Sequence, residues 1–218
     1  GISWTYNEPG IWLEYTIDTA RLARQVGLYT AYVTNGFITE AALDAIGPYL
    51  NGYRVDIKGH GDEPYRKLSG IPSARGILEV AERAKHRWGM HVEVVTNIVP
   101  TVNDDIQQLR SIATWIRDAL GPETPWHVTR FFPHAEMSHI PPTPVSTILS
   151  ARKMGMELGL RFVYVGNMAG DGAENTNCPN CGKLAIRRSG FHAELLGVAP
   201  GGRCAHCGED LNIRSVEY

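Results

Sequence analysis

Tyr53-Arg54-Val55-Asp56-Ile57-Lys58-Gly59 is the stretch on which the fold turns. Val55 and Ile57 alternate with Arg54, Asp56 and Lys58, the period-two pattern of a short strand. The strand runs into Gly59-His60-Gly61-Asp62, a stop signal with little steric restriction. Side chains two apart on a strand point the same way, so Asp56 and Lys58 share a face. Opposite charges at the carboxyl end of a strand are costly in a core and useful at the mouth of an α/β sheet or barrel. A structural ion pair closing the strand is the plain alternative.

The neighbouring segments repeat the rhythm. Residues 2–7 read as a strand ending at Asn7-Glu8-Pro9-Gly10, followed by a helix over 11–26 with Ile11, Tyr15, Ala20, Leu22, Ala23 and Val26 at loosely helical spacing. A strand over 28–34 ends at Asn35-Gly36, and Thr39 caps a short helix that Gly47-Pro48 terminates. After strand 53–57 comes a loop with His60, Asp62, Tyr65, Arg66 and Lys67, of a length that is usually functional or disordered. Ser73 opens a helix with Ile77, Val80, Ala81, Ala84 and Trp88 on one face, and 91–99 is the next strand. Asn103 or Asp104 caps a helix carrying the stripe Ile106, Leu109, Ile112, Ala113, Ile116 and Leu120. A strand over 126–132 ends at Pro133-His134; Thr143-Pro144 opens a helix to Leu158; Phe162 to Val165 is the last strand. Alternating strands and helices with short connections mean a parallel sheet covered by helices, either an open doubly wound sheet or a partial barrel.

Composition excludes several classes. The 218 residues carry 21 basic and 23 acidic side chains, a formal charge of −2, so nucleic acid and anionic membrane are not expected partners. No apolar run approaches the roughly 18–20 residues that span a bilayer, and no signal peptide is visible. A soluble, cytoplasmic protein is expected. The chain opens Gly1-Ile2-Ser3-Trp4, without Met and already in an apolar run, which reads as a fragment whose beginning is missing.

Ligand sites of parallel α/β folds form at the carboxyl ends of the strands. Those ends carry Glu8, Asn35, Asp56 with Lys58, Asn97 and His134. Each has a structural explanation taken singly, and five successive strands with polar ends favour convergence on one small polar ligand. No Gly-x-Ser-x-Gly elbow or Gly-x-Gly-x-x-Gly phosphate loop occurs.

All four cysteines lie in two Cys-x2-Cys-Gly turns, Cys178 and Cys181 followed by Gly182, and Cys204 and Cys207 followed by Gly208. Two such turns can set four thiolates around one ion, with Gly permitting the tight backbone. One Zn2+ is expected, with a rubredoxin-like iron the alternative. The metal would staple a tail too small to bury its own core.

Ser3-Trp4-Thr5-Tyr6-Asn7-Glu8-Pro9, Val33-Thr34-Asn35-Gly36-Phe37, Val55-Asp56-Ile57-Lys58-Gly59, Asn97-Ile98-Val99-Pro100-Thr101-Val102-Asn103-Asp104 and Arg130-Phe131-Phe132-Pro133-His134 come in an order and spacing that resembles radical S-adenosylmethionine (radical SAM) enzymes of the pyruvate formate-lyase activating type. The radical SAM member of the AmmeMemoRadiSam system is the nearest likeness. The resemblance implies a partial (β/α)6 barrel over residues 1–170, a four-cysteine tail over 171–218, and a [4Fe-4S] cluster with S-adenosylmethionine (SAM) at the mouth. It assigns Glu8 to the SAM amino group, as a carboxylate accepting from an amine would suit. Asn35, Asp56, Lys58 and His134 match positions along the methionyl and ribose portions. Asp56 suits ribose hydroxyls and Lys58 a carboxylate. A protein substrate bearing a glycine is a partner of such activating enzymes.

The chain departs from that pattern in having no Cys-x3-Cys-x2-Cys. Strand 2–7 matches the family's second strand, so the first βα unit with its cluster loop is absent and this chain by itself is not expected to cleave SAM. Two rivals remain: a barrel lyase using Lys58 as a Schiff-base amine, which Asp56 disfavours by stabilising the charged form, and a zinc-ribbon module binding protein or nucleic acid on an α/β scaffold.

Overall fold

Six parallel strands form one sheet: β1 (Ile2–Trp4), β2 (Thr30–Thr34), β3 (Gly52–Asp56), β4 (His91–Ile98), β5 (Trp126–Arg130) and β6 (Val163–Gly166). They lie side by side in chain order. The computed structural model describes residues 1–168, 170, 172–190 and 192–214. A doubly wound sheet reverses its strand order at a switch point; strictly sequential order with right-handed crossovers puts every helix on one side. This sheet is therefore a partial barrel, with β1 and β6 as its edges.

The helices are α1 (Leu13–Gln25), α2 (Glu40–Ile46), α3 (Asp62–Ser69), α4 (Arg75–His86), α5 (Ile106–Trp115) and α6 (Val145–Glu157). Their buried faces, among them Leu43, Ile46, Ile77, Val80, Ala81, Leu109, Ile112 and Ile148, close over one side of the sheet. The register sets Thr34, Val55, Val94, Trp126 and Val163 in one continuous row on that side, all buried. The alternate positions form the concave face. One of its rows is Asp56, Val95, His127 and Tyr164, and Arg54 and Glu93 stand in the row below. Period-two alternation thus sends the apolar set to the helices and leaves polar groups inside the open barrel. No helix of the described residues is long and apolar enough to cross a membrane.

Several sequence expectations need correction. The stretch expected to be a loop after β3 contains α3. Asp62 and Glu63 sit in its first turn, Arg66 and Lys67 in its last, and Gly70 ends it in the left-handed conformation at φ 65°. These charges suit the helix dipole, and the fully buried Tyr65 supplies the packing that a polar segment hides. The first strand stops at Trp4, and a 3-10 turn (Pro9–Trp12) precedes α1. Of the apolar set expected to pack from that helix, only Ala20 and Ala23 are buried, while Ile11, Tyr15, Leu22 and Val26 face outward. The fifth strand ends at Arg130, two residues early, and the sixth spans Val163–Gly166.

Two expected caps also have other work. Asp105, not Asn103 or Asp104, caps α5 by accepting from the N–H groups of Gln107 and Gln108 at 2.9 and 3.2 Å. Pro144 stands at the start of α6, and the buried Thr143 turns inward, donating to the Ile98 carbonyl at 2.5 Å and accepting from Phe131 N–H at 3.0 Å. Ser73 accepts from Arg75 N–H at 3.3 Å, one residue outside the position expected of it, since Ala74 occupies the N-cap of α4.

Beyond β6 the chain forms an antiparallel sheet of β7 (Thr176–Asn177), β8 (Leu184–Ser189) and β9 (His192–Leu195), then a pair, β10 (Val198–Ala199) with β11 (Arg203–Cys204). Among the described residues its core is a small cluster of Cys178, Ala185, Ile186, Cys204 and Leu211, with Val198 and Ile213 packed against it. It docks on the barrel through the Arg161–Glu209 ion pair, the Tyr164–Thr176 hydroxyl contact at 2.9 Å, and Asn212 donating to the Glu123 carbonyl at 2.8 Å.

Candidate cofactor site and metal centre

The strand ends carry the groups expected there, in two sets. In the first, Glu8 holds the turn after β1 against the end of β2. Its carboxylate accepts from the Thr34 hydroxyl at 2.5 Å, from Asn35 N–H at 2.7 Å and, more weakly, from Gly10 N–H at 3.4 Å. Three of about four lone-pair directions are thereby used, leaving room for one more donor. Asn35 spends its side-chain oxygen on Phe37 N–H at 2.7 Å, an Asx turn, and its side-chain NH2 has no partner among the described residues. Gly36, at φ 75°, brings its backbone so close that a Cβ would meet Val55 and Ile77 at under 3 Å.

The second set lines a cleft of about 190 Å³ bounded by Asp56, Lys58, Leu68, Asn97, Phe131 and Met137. Asp56, the last residue of β3, and Lys58, two residues beyond it, pair at 3.7 Å with 46% and 24% of their side chains exposed. At that exposure the pair adds at most about 1 kcal/mol to stability, so its groups are open to a ligand. Asn97 accepts from the Thr129 hydroxyl at 3.3 Å. His134 lies outside the cleft. Its imidazole is exposed and has no partner among the described residues, at the start of the 3-10 turn Ala135–Met137 whose Met137 reaches the cleft wall.

Sequence reasoning missed what holds this mouth in shape. Asn103, fully buried, donates its NH2 to the carbonyls of Lys58 and Asn97, both at 3.0 Å, and accepts from Val99 N–H at 2.6 Å. One side chain thus clips the end of β3 to the end of β4. Thr143 does the same between β4 and the chain after β5. Below the mouth a second polar layer was also missed. Glu93 accepts from His127 at 2.9 Å and from His91 at 3.2 Å. Burial would raise the Glu93 pKa, but hydrogen bonds from His127 and then His91 outweigh it and hold the carboxyl well below its ordinary range. His91, Glu93 and Asn97 fall on one strand face by simple alternation, the signal that would have found them.

In the tail, the Sγ atoms of Cys178, Cys181, Cys204 and Cys207 all lie within 4.8 Å of one another. Cys178 and Cys207 are 3.5 Å apart, Cys181 and Cys204 3.7 Å. A tetrahedral ion with metal–sulfur bonds of about 2.3 Å sets its sulfurs about 3.8 Å apart, so the donor set fits one metal. The two turns are built alike. The N–H of the first Cys donates to the carbonyl five residues on, and the Gly N–H returns to the first Cys carbonyl, with Gly182 and Gly208 at φ 71° and 77°. The N–H of Glu209 draws the Cys207 thiol down to about 7. The Lys183 N–H acts likewise on Cys181, but desolvation and the other three sulfurs prevail and push it up to about 11. Four crowded thiols cannot all ionise without a cation, and a divalent ion resolves that conflict.

Sequential parallel order, helices on one side and polar strand ends on the other define a partial α/β barrel with the fold of radical SAM domains. A solved domain of a pyruvate-formate lyase-activating enzyme from Bacteroides vulgatus superposes with a TM-score of 0.64 at 15% identity, over 77% of this chain and 99% of that one. A radical SAM methyltransferase from Sphaerobacter thermophilus gives 0.57 at 16% identity, over 81% of this chain and 52% of its own. Among curated proteins, an uncharacterized protein of Methanocaldococcus jannaschii is 41% identical over 214 residues. The chain spans 63% of that relative's length. An isethionate sulfite-lyase activating enzyme of Oleidesulfovibrio alaskensis is 28% identical over 114 residues, 52% of this chain and 37% of the enzyme. No family model matches the chain.

Proposed function

We propose that this chain is the barrel of a radical SAM enzyme of the glycyl-radical-activating type, akin to the radical SAM member of the AmmeMemoRadiSam system, with residues 1–170 as the barrel and 171–218 as a metal-stapled tail. The observation that carries the reading is the placement of Glu8 with Asn35, and of Asp56 with Lys58 and Asn97, at the carboxyl ends of adjacent strands. The distant activating-enzyme relatives support the same class. We assign the tail site to Zn2+, with iron the alternative, and the protein to the cytoplasm.

The residues fit SAM and do not fit its cluster. Glu8 keeps one acceptor direction for the amino group, the Asn35 NH2 and the Lys58 ammonium would donate to the SAM carboxylate, and Asp56 would offer oxygens to ribose hydroxyls. His134 joins them only if its turn folds toward the cleft. All four thiols of the chain are committed to the tail centre, so no cluster-dependent step is assigned to residues 1–218. A [4Fe-4S] cluster held outside residues 1–218 would supply the reducing chemistry for hydrogen abstraction, with these strand-end residues holding SAM; a glycine of a protein partner is the substrate proposed. A Lys58 Schiff base is the weaker reading, because the Lys58 side chain is already engaged in an ion pair with Asp56 at 3.7 Å.

The test joins the chain to a βα unit bearing Cys-x3-Cys-x2-Cys, reconstitutes iron and sulfide without oxygen, and adds dithionite and SAM. Formation of 5′-deoxyadenosine is expected, and Glu8→Ala or Asp56→Ala should weaken SAM binding by about 1–3 kcal/mol, the usual loss of a charge-assisted hydrogen bond. A protein that holds the cluster and never cleaves SAM would sink the proposal.

A further inference from the structure

The tail does more than cap the barrel edge. Between it and the concave face lies a second cavity, of about 510 Å³, whose polar lining includes Glu93, His127, Tyr164, Thr176, Arg188 and Arg214. Arg188 is its best-fixed cation. Its guanidinium lies over the Tyr164 ring at 5.2 Å, and one terminal nitrogen donates to Thr176 Oγ1 at 2.8 Å and to the Glu174 carbonyl at 3.0 Å. The backbone is pinned as well, Arg188 N–H donating to Asn175 Oδ1 at 2.6 Å. Those contacts occupy one nitrogen, and the Tyr164 hydroxyl is a further acceptor beside the guanidinium; no other bond to Nε or the second terminal nitrogen is made among the described residues. No carboxylate of the described residues lies within ion-pair distance of Arg188.

A guanidinium fixed by an aromatic face and neutral acceptors, with no carboxylate partner among the described residues, is prepared for an oxyanion. The negative groups nearby do not meet that need. Glu93 is already shared between His91 and His127, and Glu174, which also lines the cavity, offers Arg188 its backbone carbonyl and makes no ion pair with it. Phe162 and Leu211 give the cavity an apolar side, so the occupant has a hydrocarbon body as well as an acid group.

We propose that this cavity is a binding site for a small organic acid, with Arg188 of the tail holding the acid group and the Tyr164, Thr176 and His127 side chains completing the polar wall. The site is separate from the mouth at the strand ends, and its test needs neither SAM nor a cluster.

The probes are benzoate, phenyl phosphate and, as the neutral control, benzamide, titrated into the chain while the arginine Nε–H and histidine ring resonances are followed by NMR. Saturable shifts of Arg188 and His127 with one or both acids and none with benzamide are expected, and the tighter acid tells carboxylate from phosphate. Arg188→Gln should weaken binding about tenfold or more, and Arg188→Lys, which keeps the charge and loses the fork, should fall between. Circular dichroism confirms that the variants fold; if Arg188→Gln does not, the lysine variant and Thr176→Val decide, both binding less tightly. Absence of saturation with either acid, equal binding of benzamide, or unchanged binding in the folded variants would overturn the proposal.

Discussion

Asn103→Ala is expected to loosen the mouth of the barrel at a cost that can be worked from its three hydrogen bonds. The Val99 N–H that Asn103 accepts belongs to a residue only 2% exposed, so water cannot replace the lost partner. An unpaired buried donor of that kind costs about 1–3 kcal/mol. The carbonyls of Lys58 and Asn97 lose their donor too, but Asn97 is exposed and water can return, so together they add about 1 kcal/mol. The sum is about 2–4 kcal/mol, or a fall in Tm of about 4–16 °C at the 2–4 °C per kcal/mol usual for this chain length. Urea unfolding of the purified chain measures it. Asn103→Asp sharpens the test. It keeps the acceptor for Val99 but sets carboxylate oxygen against two carbonyls, so it should be as damaging at neutral pH and partly recover in acid, where the protonated carboxyl regains a donor. Loss of less than about 0.5 kcal/mol in Asn103→Ala, the range of an inert surface change, would refute the clip.

Other outcomes follow from the same geometry. The purified chain should carry one equivalent of zinc or iron, and Cys204→Ser or a strong chelator should release it and unfold residues 178–208; elemental analysis with limited proteolysis checks this. Glu93, whose folded-state pKa is depressed, gives stability that is full above its unfolded value of about 4.3 and fades as pH falls through the lower folded one. Glu93→Gln should therefore be less stable than wild type at neutral pH, with the gap closing in strong acid; equal gaps at pH 7 and pH 2.5 would count against it. The outward Ile11, Tyr15, Leu22 and Val26 of the first helical segment, beside the edge of β1 that pairs with no strand of the described residues, should promote self-association. Leu22→Lys with Val26→Lys should reduce it in sedimentation velocity.

Much of the architecture was legible because parallel strands advertise themselves twice, by alternation and by polar ends. The alternation of Val55 with Arg54 and Asp56 marks β3, and Asp56 at its end pairs at 3.7 Å with Lys58 just beyond it, as the period-two pattern predicts. The two Cys-x2-Cys-Gly turns foretold a site whose sulfurs do come together. What stayed hidden depends on tertiary partners. Asn103 and Thr143 look like helix caps because the same short polar side chains serve either end, and only the neighbouring strand ends decide. In α3, charges outnumber apolar residues, and the burial of Tyr65 that stabilises it needs the strand beside it. The Glu93–His127 contact crosses between strands, and its pairing appears only once β4 and β5 are in register. The outward apolar face of α1 misled because periodicity reports an apolar stripe without saying what it meets.

The claim at the centre of the account is that the carboxyl ends of β1 to β4 form one SAM site. Hydrogen–deuterium exchange with and without SAM, on the cluster-bearing form reconstituted as above, tests it most directly. The account predicts slowed exchange in segments 33–37, 55–59 and 97–103, at the mouth, and no change in 84–91 or 121–125, at the opposite end of the sheet. Protection confined to the opposite end, or none at saturating SAM, would contradict it.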